Sequence, residues 1–145
     1  MSANLWSDTS IFTPYLNCSH MLIHTPSRKR IRRLNVRQRK KLRVGEFRES
    51  CFEVKIRFKQ PLTELNYGTW WGAVVDLIEA NHLLICGIGG QLPLIETNGI
   101  VSAADRKSPT EEDRLAVLAG LQGLTEVASV QVGDFVCAWY GPFDI

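Results

Sequence analysis

The stretch FEVKIRFK, residues 52–59, alternates strictly between apolar and charged side chains. Successive side chains of an extended chain point to opposite faces, so the apolar residues share one face and the charged residues share the other. This pattern predicts a β-strand with one face buried in a core and one face open to water. The buried face comprises Phe52, Val54, Ile56 and Phe58, and the open face comprises Glu53, Lys55, Arg57 and Lys59.

The residues after this strand predict a helix followed by a hairpin. We expect a helix in the segment that opens at Pro61, because apolar residues recur there at helical spacing between residues 67 and 78. Leu83–Cys86 and Leu94–Ala103 are expected to pair as antiparallel strands through a glycine-rich turn. The glycines of that turn do not form a P-loop, since neither a helix nor a Lys-Ser/Thr pair follows them.

The last third of the chain predicts a second helix and a final strand. Ser108 is expected to cap this helix, with a proline in the first turn, and Gly123 is expected to end it. Strand material follows at residues 127–132 and 135–139, interrupted by a turn at Gly133. The expected apolar face of the helix is Leu115, Leu118 and Ala119.

The predicted order after residue 45 is therefore βαββαβ. Two split βαβ units of this kind favour a ferredoxin-like α+β sandwich, with two helices on one face of an antiparallel sheet. We expect three parts along the chain: a mobile N-terminal extension at residues 1–27, a basic arm at 28–45, and the ferredoxin-like domain at 46–145.

The charge of the chain is divided sharply between these parts. The 145 residues carry 17 Lys and Arg against 15 Asp and Glu, a net charge of +2. Residues 1–43 hold ten of the basic residues and one acid, Asp8, whereas residues 44–145 hold seven basic and fourteen acidic residues. The sequence therefore indicates a basic arm on an acidic body.

The arm, with the sequence RKRIRRLNVRQRKKLR at residues 28–43, is the main candidate binding segment. Its residues favour a helix, and its charge density is compatible with disorder until a polyanion binds. Dense arginine favours phosphate contacts and stacking on exposed RNA bases. Two alternatives are a solvated tail with non-specific polyanion affinity and, less favoured because the apolar face is thin, attachment to an anionic membrane.

The predicted nucleic-acid contacts include the arm and the open face of the first strand, which could extend a phosphate track across the sheet. The alternative for the strand residues is a simple solvated face. The predicted contact residues are Arg28, Lys29, Arg30, Arg32, Arg33, Arg37, Arg39, Lys40, Lys41, Arg43, Lys55, Arg57 and Lys59.

No catalytic, metal or cofactor site is predicted. Cys18, His20 and His24 lie close together in sequence, but a mobile extension is a poor predefined metal site. His82 has no local Ser, Cys or Asp partner, so the sequence offers no nucleophile and base. We therefore expect a protein that is not an enzyme, with its four cysteines as reduced thiols.

The arm and the first strand carry a family resemblance. The segments RQRKKL at 37–42, GEF at 45–47 and FEV at 52–54 resemble the YggL family of 50S ribosome-binding proteins. The resemblance covers about residues 33–140 and continues through DLIEAN at 76–81, TEE at 110–112 and AWY at 138–140. The chain departs from the family pattern before Arg28 and at Leu92-Pro93-Leu94.

This resemblance implies a small bacterial, cytoplasmic protein that associates with the large ribosomal subunit. It implies ribosome contact for one set of residues: Arg37, Arg39, Lys40 and Lys41. It implies packing between arm and sheet for another set: Phe47, Phe52 and Val54.

Our hypothesis is a non-catalytic protein whose arm binds rRNA on the 50S subunit, with a role in ribosome assembly or function. The acidic body would limit non-specific binding or contact a ribosomal protein. The alternative is a ferredoxin-like regulatory or oligomerising module that binds a small ligand or its own copy and uses the arm only as a solubility tail. No oligomeric state is predicted.

Overall fold

The computed structural model describes residues 25–141 of the chain. Most of the predicted extension at residues 1–27, including Cys18, His20 and His24, lies outside these residues. The helices are α1 (Arg28–Arg33), α2 (Val36–Leu42), α3 (Glu64–Ala80) and α4 (Glu111–Gln122), with a short 3-10 turn at Gly45–Phe47. The strands are β1 (Ser50–Leu62), β2 (Leu83–Cys86), β3 (Leu94–Ala103), β4 (Val127–Val132) and β5 (Val136–Cys137).

The strands of the described chain form one open antiparallel sheet in the order β2-β3-β1-β4, and β5 also pairs with β1. The thirteen-residue strand β1 lies between β3 and β4, with Ile56 opposite Thr97 on one side and Val130 on the other. The predicted hairpin of β2 and β3 is confirmed with the predicted bounds. The last predicted strand segment shortens to β5, which pairs with the first two residues of β1.

The core lies on one face of this sheet, where the apolar face of β1 meets α3 and α4. The four apolar residues predicted for that face are at most 5% exposed. Phe58 packs edge-to-face on Trp70 of α3, with ring centroids 4.9 Å apart. Trp70 is buried, and Trp71 is half-buried against the same core.

Both long helices begin later than the sequence predicts. Pro61 remains in β1. Helix α3 begins at Glu64 because Thr63 is the better capping residue: the backbone N–H of Thr63 donates to Asn66 Oδ1 at 2.7 Å. Likewise Thr110, not Ser108, caps α4, since the Thr110 N–H donates to Asp113 Oδ2 at 2.8 Å. The hydroxyl of Ser108 instead accepts from the N–H of Ser50, at the start of β1, at 3.0 Å.

The predicted apolar face of α4 is correct only for Leu118, which packs against the core, and wrong for Leu115 and Ala119. Val117 and Leu121 are fully buried, whereas Leu115 is 52% exposed, Ala119 is exposed and Leu118 is half-buried. The reason is the contact between the helices at Gly120: a Cβ there would come within 2.4 Å of Leu77 Cδ1 on α3. This close approach turns the helix so that Val117 and Leu121 enter the core.

Candidate nucleic-acid interface

The basic segment forms two short helices with side-chain caps. The Ser27 hydroxyl accepts from the N–H of Arg30 at the start of α1, at 3.3 Å. At the start of α2, Asn35 Oδ1 accepts from the N–H of Gln38 at 2.8 Å, and Gln38 Oε1 accepts from the N–H of Asn35 at 2.9 Å. This reciprocal pair is a capping box, which satisfies donors that a short helix leaves unpaired.

The end of α2 turns the chain sharply toward the sheet. Arg43 takes a left-handed conformation, with φ 53°, and its N–H donates to carbonyl oxygens of the last turn. Gly45 also has a positive φ, 63°, and a Cβ there would lie 3.3 Å from Arg39 Cδ, closer than ordinary contact. Val44, between them, is only 3% exposed, so its side chain is buried where α2 meets the body.

The ten basic residues of this segment fall into two groups. Eight are exposed and have no carboxylate partner among the described residues, whereas Arg39 and Arg43 are half-buried and paired. Unpaired surface cations keep their full charge available for a polyanion. We call the eight the free cations: Arg28, Lys29, Arg30, Arg32, Arg33, Arg37, Lys40 and Lys41.

Arg39 joins three segments of the chain. Its Nε and Nη2 atoms each lie 2.9 Å from a different carboxylate oxygen of Glu46, and its Nη1 donates to the carbonyl oxygen of Leu34 between α1 and α2. This forked bond raises the pKa of Arg39 and lowers the pKa of Glu46. Its guanidinium is therefore occupied by the chain itself, and the side chain is only 22% exposed.

Arg43 joins the arm to the C-terminal end of the described chain. Its Nη1 lies 2.8 Å from Glu49 Oε1, and its guanidinium carbon lies 5.2 Å from the centre of the Trp139 ring. Trp139 Nε1 donates to the other Glu49 oxygen at 2.9 Å, and the Tyr140 hydroxyl donates to the carbonyl oxygen of Leu42 at 2.6 Å. We call Glu49, Trp139 and Tyr140 the clamp.

The three predicted cations of β1 form a separate group. Lys55, Arg57 and Lys59 are exposed on the sheet face opposite the core. The Nη2 atom of Arg57 lies 3.5 Å from Glu96 Oε2 of β3. Lys55 is five residues along β1 from Ser50, a distance of about 17 Å at the usual strand rise. The arm cations therefore gather at one end of β1 and the sheet cations along its other half, with Glu53 between them.

Sequence reasoning missed the residues that hold the arm in place. Glu49 counted only toward the acidic body, and Glu46 only toward that body and the family segment GEF. Neither lies three or four residues from its arginine partner. Trp139 and Tyr140 entered only as strand and family residues. Of the predicted packing residues, Phe52 and Val54 are fully buried and Phe47 is half-buried.

Two other kinds of feature, a membrane span and a metal cluster, were sought within residues 25–141. There, no helix is long and apolar enough to cross a membrane. In the same range, no group of three or more His, Cys, Asp and Glu side chains is placed to hold a metal ion.

Comparison with known proteins places the chain in a family. The family model for the YggL 50S ribosome-binding protein matches residues 36–140. No curated protein and no solved structure matches the chain. The family match begins at the first residue of α2 and ends at Tyr140, so it contains Arg39, Arg43 and the whole clamp, and α1 precedes it. The chain belongs to the family of YggL 50S ribosome-binding proteins.

Proposed function

We propose that this protein binds the large ribosomal subunit by placing the free cations of α1 and α2 against rRNA phosphates. The observation that carries the proposal is the division of the arm into eight exposed cations, without a carboxylate partner in the described part of the chain, and two paired arginines. The membership of the family supports the large subunit as the partner.

The electrostatics of the arm suit a phosphate backbone. Residues 28–43 contain no acidic side chain, and the free cations have no carboxylate partner within residues 25–141 to give up before they meet RNA. Each phosphate neutralised releases counterions, so affinity should fall steeply with salt. The acidic body, by contrast, repels RNA, which favours binding at the arm end of the molecule.

Within α2, we assign different roles to neighbouring basic residues. Arg37, Lys40 and Lys41 contact RNA, because they are exposed and have no acidic partner among the residues that the structure describes. Arg39 positions them, because its guanidinium is bound by Glu46 and Leu34. This assignment changes the role that the resemblance implied for Arg39.

The proposal also covers the cations of β1, the absence of catalysis, the location in the cell and the fold. Lys55, Arg57 and Lys59 supply a second, weaker contact on the open sheet face. The protein acts without catalysis, in the cytoplasm, where ribosomes are. We also propose that residues 46–145 form a ferredoxin-like domain. The order βαββαβ of the first four strands with α3 and α4, and the strand order β2-β3-β1-β4, support this fold, and β5 is an addition to it.

One observation favours the alternative of a regulatory module with a small ligand. A polar depression of about 460 Å³ lies on the open sheet face between Lys55, Asn98 and Gln131. On this alternative, removing the arm charges leaves function intact. The depression has mixed charge and lacks the apolar lining that small-ligand sites usually have, so we prefer the ribosome.

Sedimentation with ribosomes tests the proposal. The tagged full-length protein, mixed with cell lysate, should comigrate with large subunits on a sucrose gradient at low salt and leave them at high salt. A variant with Arg37→Ala and Lys40→Ala should leave at lower salt, with the log–log salt slope reduced by about 0.7–0.9 for each phosphate that the variant no longer neutralises.

A matched control removes the same charge elsewhere. Arg106→Ala with Lys107→Ala alters two exposed cations of the β3–α4 loop and should sediment like the wild type. If the wild type stays at the top of the gradient at both salts, the proposed function is wrong.

A further inference from the structure

A cleft of about 460 Å³ lies where α1, the end of α2 and the residues after β5 meet. Its walls are largely apolar and include Ile31, Val44 and Tyr140. Four arginines also line it: Arg28 and Arg32 from α1, Arg43 at the end of α2, and Arg48 from the segment before β1. Its size lies within the range of about 300–1,000 Å³ that is usual for ligand pockets.

The chemistry of the cleft is unusual for a surface that only collects phosphates. Arg28, Arg32 and Arg48 are exposed and have no carboxylate partner in the described chain, so the cleft attracts anions. An anion alone would leave the apolar walls in contact with water. The walls and the arginines together fit a ligand that joins a flat apolar group to negative charge.

The shape of the cleft is fixed before a ligand binds. The Tyr140 hydroxyl donates to the carbonyl oxygen of Leu42, which holds the ring in the wall. At Gly45, which also lines the cleft, a Cβ would lie 3.7 Å from Ile31 Cγ2, so α1 and the turn after α2 are in contact. Preorganised walls reduce the entropy that binding costs.

We propose that this cleft receives an unpaired nucleotide of the bound RNA. The base packs between Ile31 and Tyr140, and the neighbouring phosphates lie on Arg28, Arg32 and Arg48. Proteins read RNA mainly at loops and bulges, where bases leave the stack and pack on aromatic rings or guanidinium planes. The inference rests on the proposed function and specifies it: the arm recognises a bulged or looped RNA element rather than a regular duplex.

Two RNAs of equal length and charge test the inference. One is a hairpin whose stem carries a single bulged 2-aminopurine, and the other has the same number of nucleotides with the fluorescent base paired. The intact protein should bind the bulged RNA more tightly, by about tenfold. It should also change the fluorescence of the bulged base more than that of the paired base.

Variants of α1 separate the cleft from general charge. Arg28→Gln with Arg32→Gln removes two cations that line the cleft, and Lys29→Gln with Arg33→Gln removes two cations of the same helix that do not. Both variants should weaken binding to the paired RNA by a similar factor, because both lose two charges. Only the first variant should bring the ratio of the affinities for the bulged and the paired RNA close to one.

The outcomes distinguish the inference from the function on which it rests. If the wild type comigrates with large subunits but binds both RNAs equally, the cleft inference is wrong and the proposed function stands. The inference is also overturned if the two variants of α1 lose the preference for bulged RNA to the same extent. It is overturned as well if the preference arises only after residues 1–24 are deleted, because the chain itself would then be the occupant of the cleft. Failure of the wild type to bind large subunits and either RNA overturns both proposals.

Discussion

Arg37 and Arg39 are two residues apart on α2, and the structure gives them different surroundings. The Arg37 side chain is exposed and has no acidic partner among residues 25–141, whereas Arg39 is held by the Glu46 carboxylate and the Leu34 carbonyl. An arginine with a forked carboxylate bond is a structural element and contributes little net charge to an approaching phosphate. Counting basic residues therefore overstates the contact surface of this arm.

The pair of Arg39 and Glu46 should make stability depend on pH. The bond lowers the pKa of Glu46, so its contribution to the free energy of unfolding is complete above the ordinary carboxyl pKa of about 4.3. That contribution disappears as the pH falls through the lowered pKa. Urea denaturation at neutral and acidic pH should show a smaller acid-induced loss of stability for Glu46→Gln than for the wild type.

A second carboxylate provides the control for this measurement. Glu79→Gln alters an exposed residue that has no ion-pair partner within the described chain, and it should retain the acid sensitivity of the wild type. Equal acid sensitivity of Glu46→Gln and the wild type would contradict the role assigned to the bond.

The cysteines offer a second prediction about single residues. Burial raises the pKa of the Cys51 thiol to about 11, so almost no thiolate is present at neutral pH. Cys86 is exposed, and Cys137 is buried. In a Cys18→Ser variant, one thiol should react rapidly with a thiol-specific dye at neutral pH, and the other two only after denaturation. A second fast thiol would show that β1 or β5 opens readily at this end of the sheet.

At the scale of elements, α4 shows where periodicity is insufficient. Its sequence has apolar residues on more than one side, and the choice between them depends on Gly120 meeting Leu77 of α3. Since that contact is between two helices, the sequence of α4 alone cannot reveal it. The strands differ in this respect, because strict alternation on β1 left one choice of buried face, and that choice is confirmed.

Two leucines of α4 allow a matched test of the observed face. Leu121 is fully buried and Leu115 is 52% exposed, although both lie on the same helix. Leu121→Ala should lower the free energy of unfolding by about 2–5 kcal/mol, because it removes buried apolar atoms and leaves a cavity. Leu115→Ala should change it by about 0.5 kcal/mol or less. Denaturant unfolding measures both, and equal losses would mean that the face is wrongly oriented.

The same reasoning explains the errors at the helix starts. Ser108 and Pro61 are good local signals for a helix start, but Thr110 and Thr63 compete within three residues and have a side-chain partner one turn ahead. Ser108 is then free to bond to β1 across 58 residues of sequence. Local propensity thus located each helix to within a turn, and the partner of each cap determined its first residue.

At the scale of the whole molecule, the arm is held by contacts that sequence patterns cannot show. Trp139 bonds to Glu49 across 90 residues, and Tyr140 bonds to Leu42 across 98. The charge division and the alternating strand were visible in the sequence, and with them a basic segment beside a sheet. The fixed position of that segment depends on the clamp, and so does one wall of the proposed RNA cleft.

This arrangement separates the position of the arm from its charge, and the two should be separable by experiment. Trp139→Leu with Tyr140→Phe leaves the net charge unchanged while it removes the ring under Arg43 and the hydrogen bond to Leu42. The loosened arm should be cut faster by trypsin, and binding to large subunits should weaken by about fivefold, the equivalent of one hydrogen bond.

The salt dependence of the clamp variant distinguishes positioning from contact. Because all eight free cations remain, the log–log slope of affinity against salt should equal that of the wild type, whereas Arg37→Ala with Lys40→Ala lowers it. Tyr67→Phe with Trp71→Leu alters an aromatic pair on α3, away from the arm, and serves as the control for general loss of stability. That control should leave trypsin cleavage of the arm unchanged. A reduced salt slope in the clamp variant would mean that the clamp residues contact the RNA directly. An unchanged affinity for large subunits would mean that the position of the arm does not matter for binding.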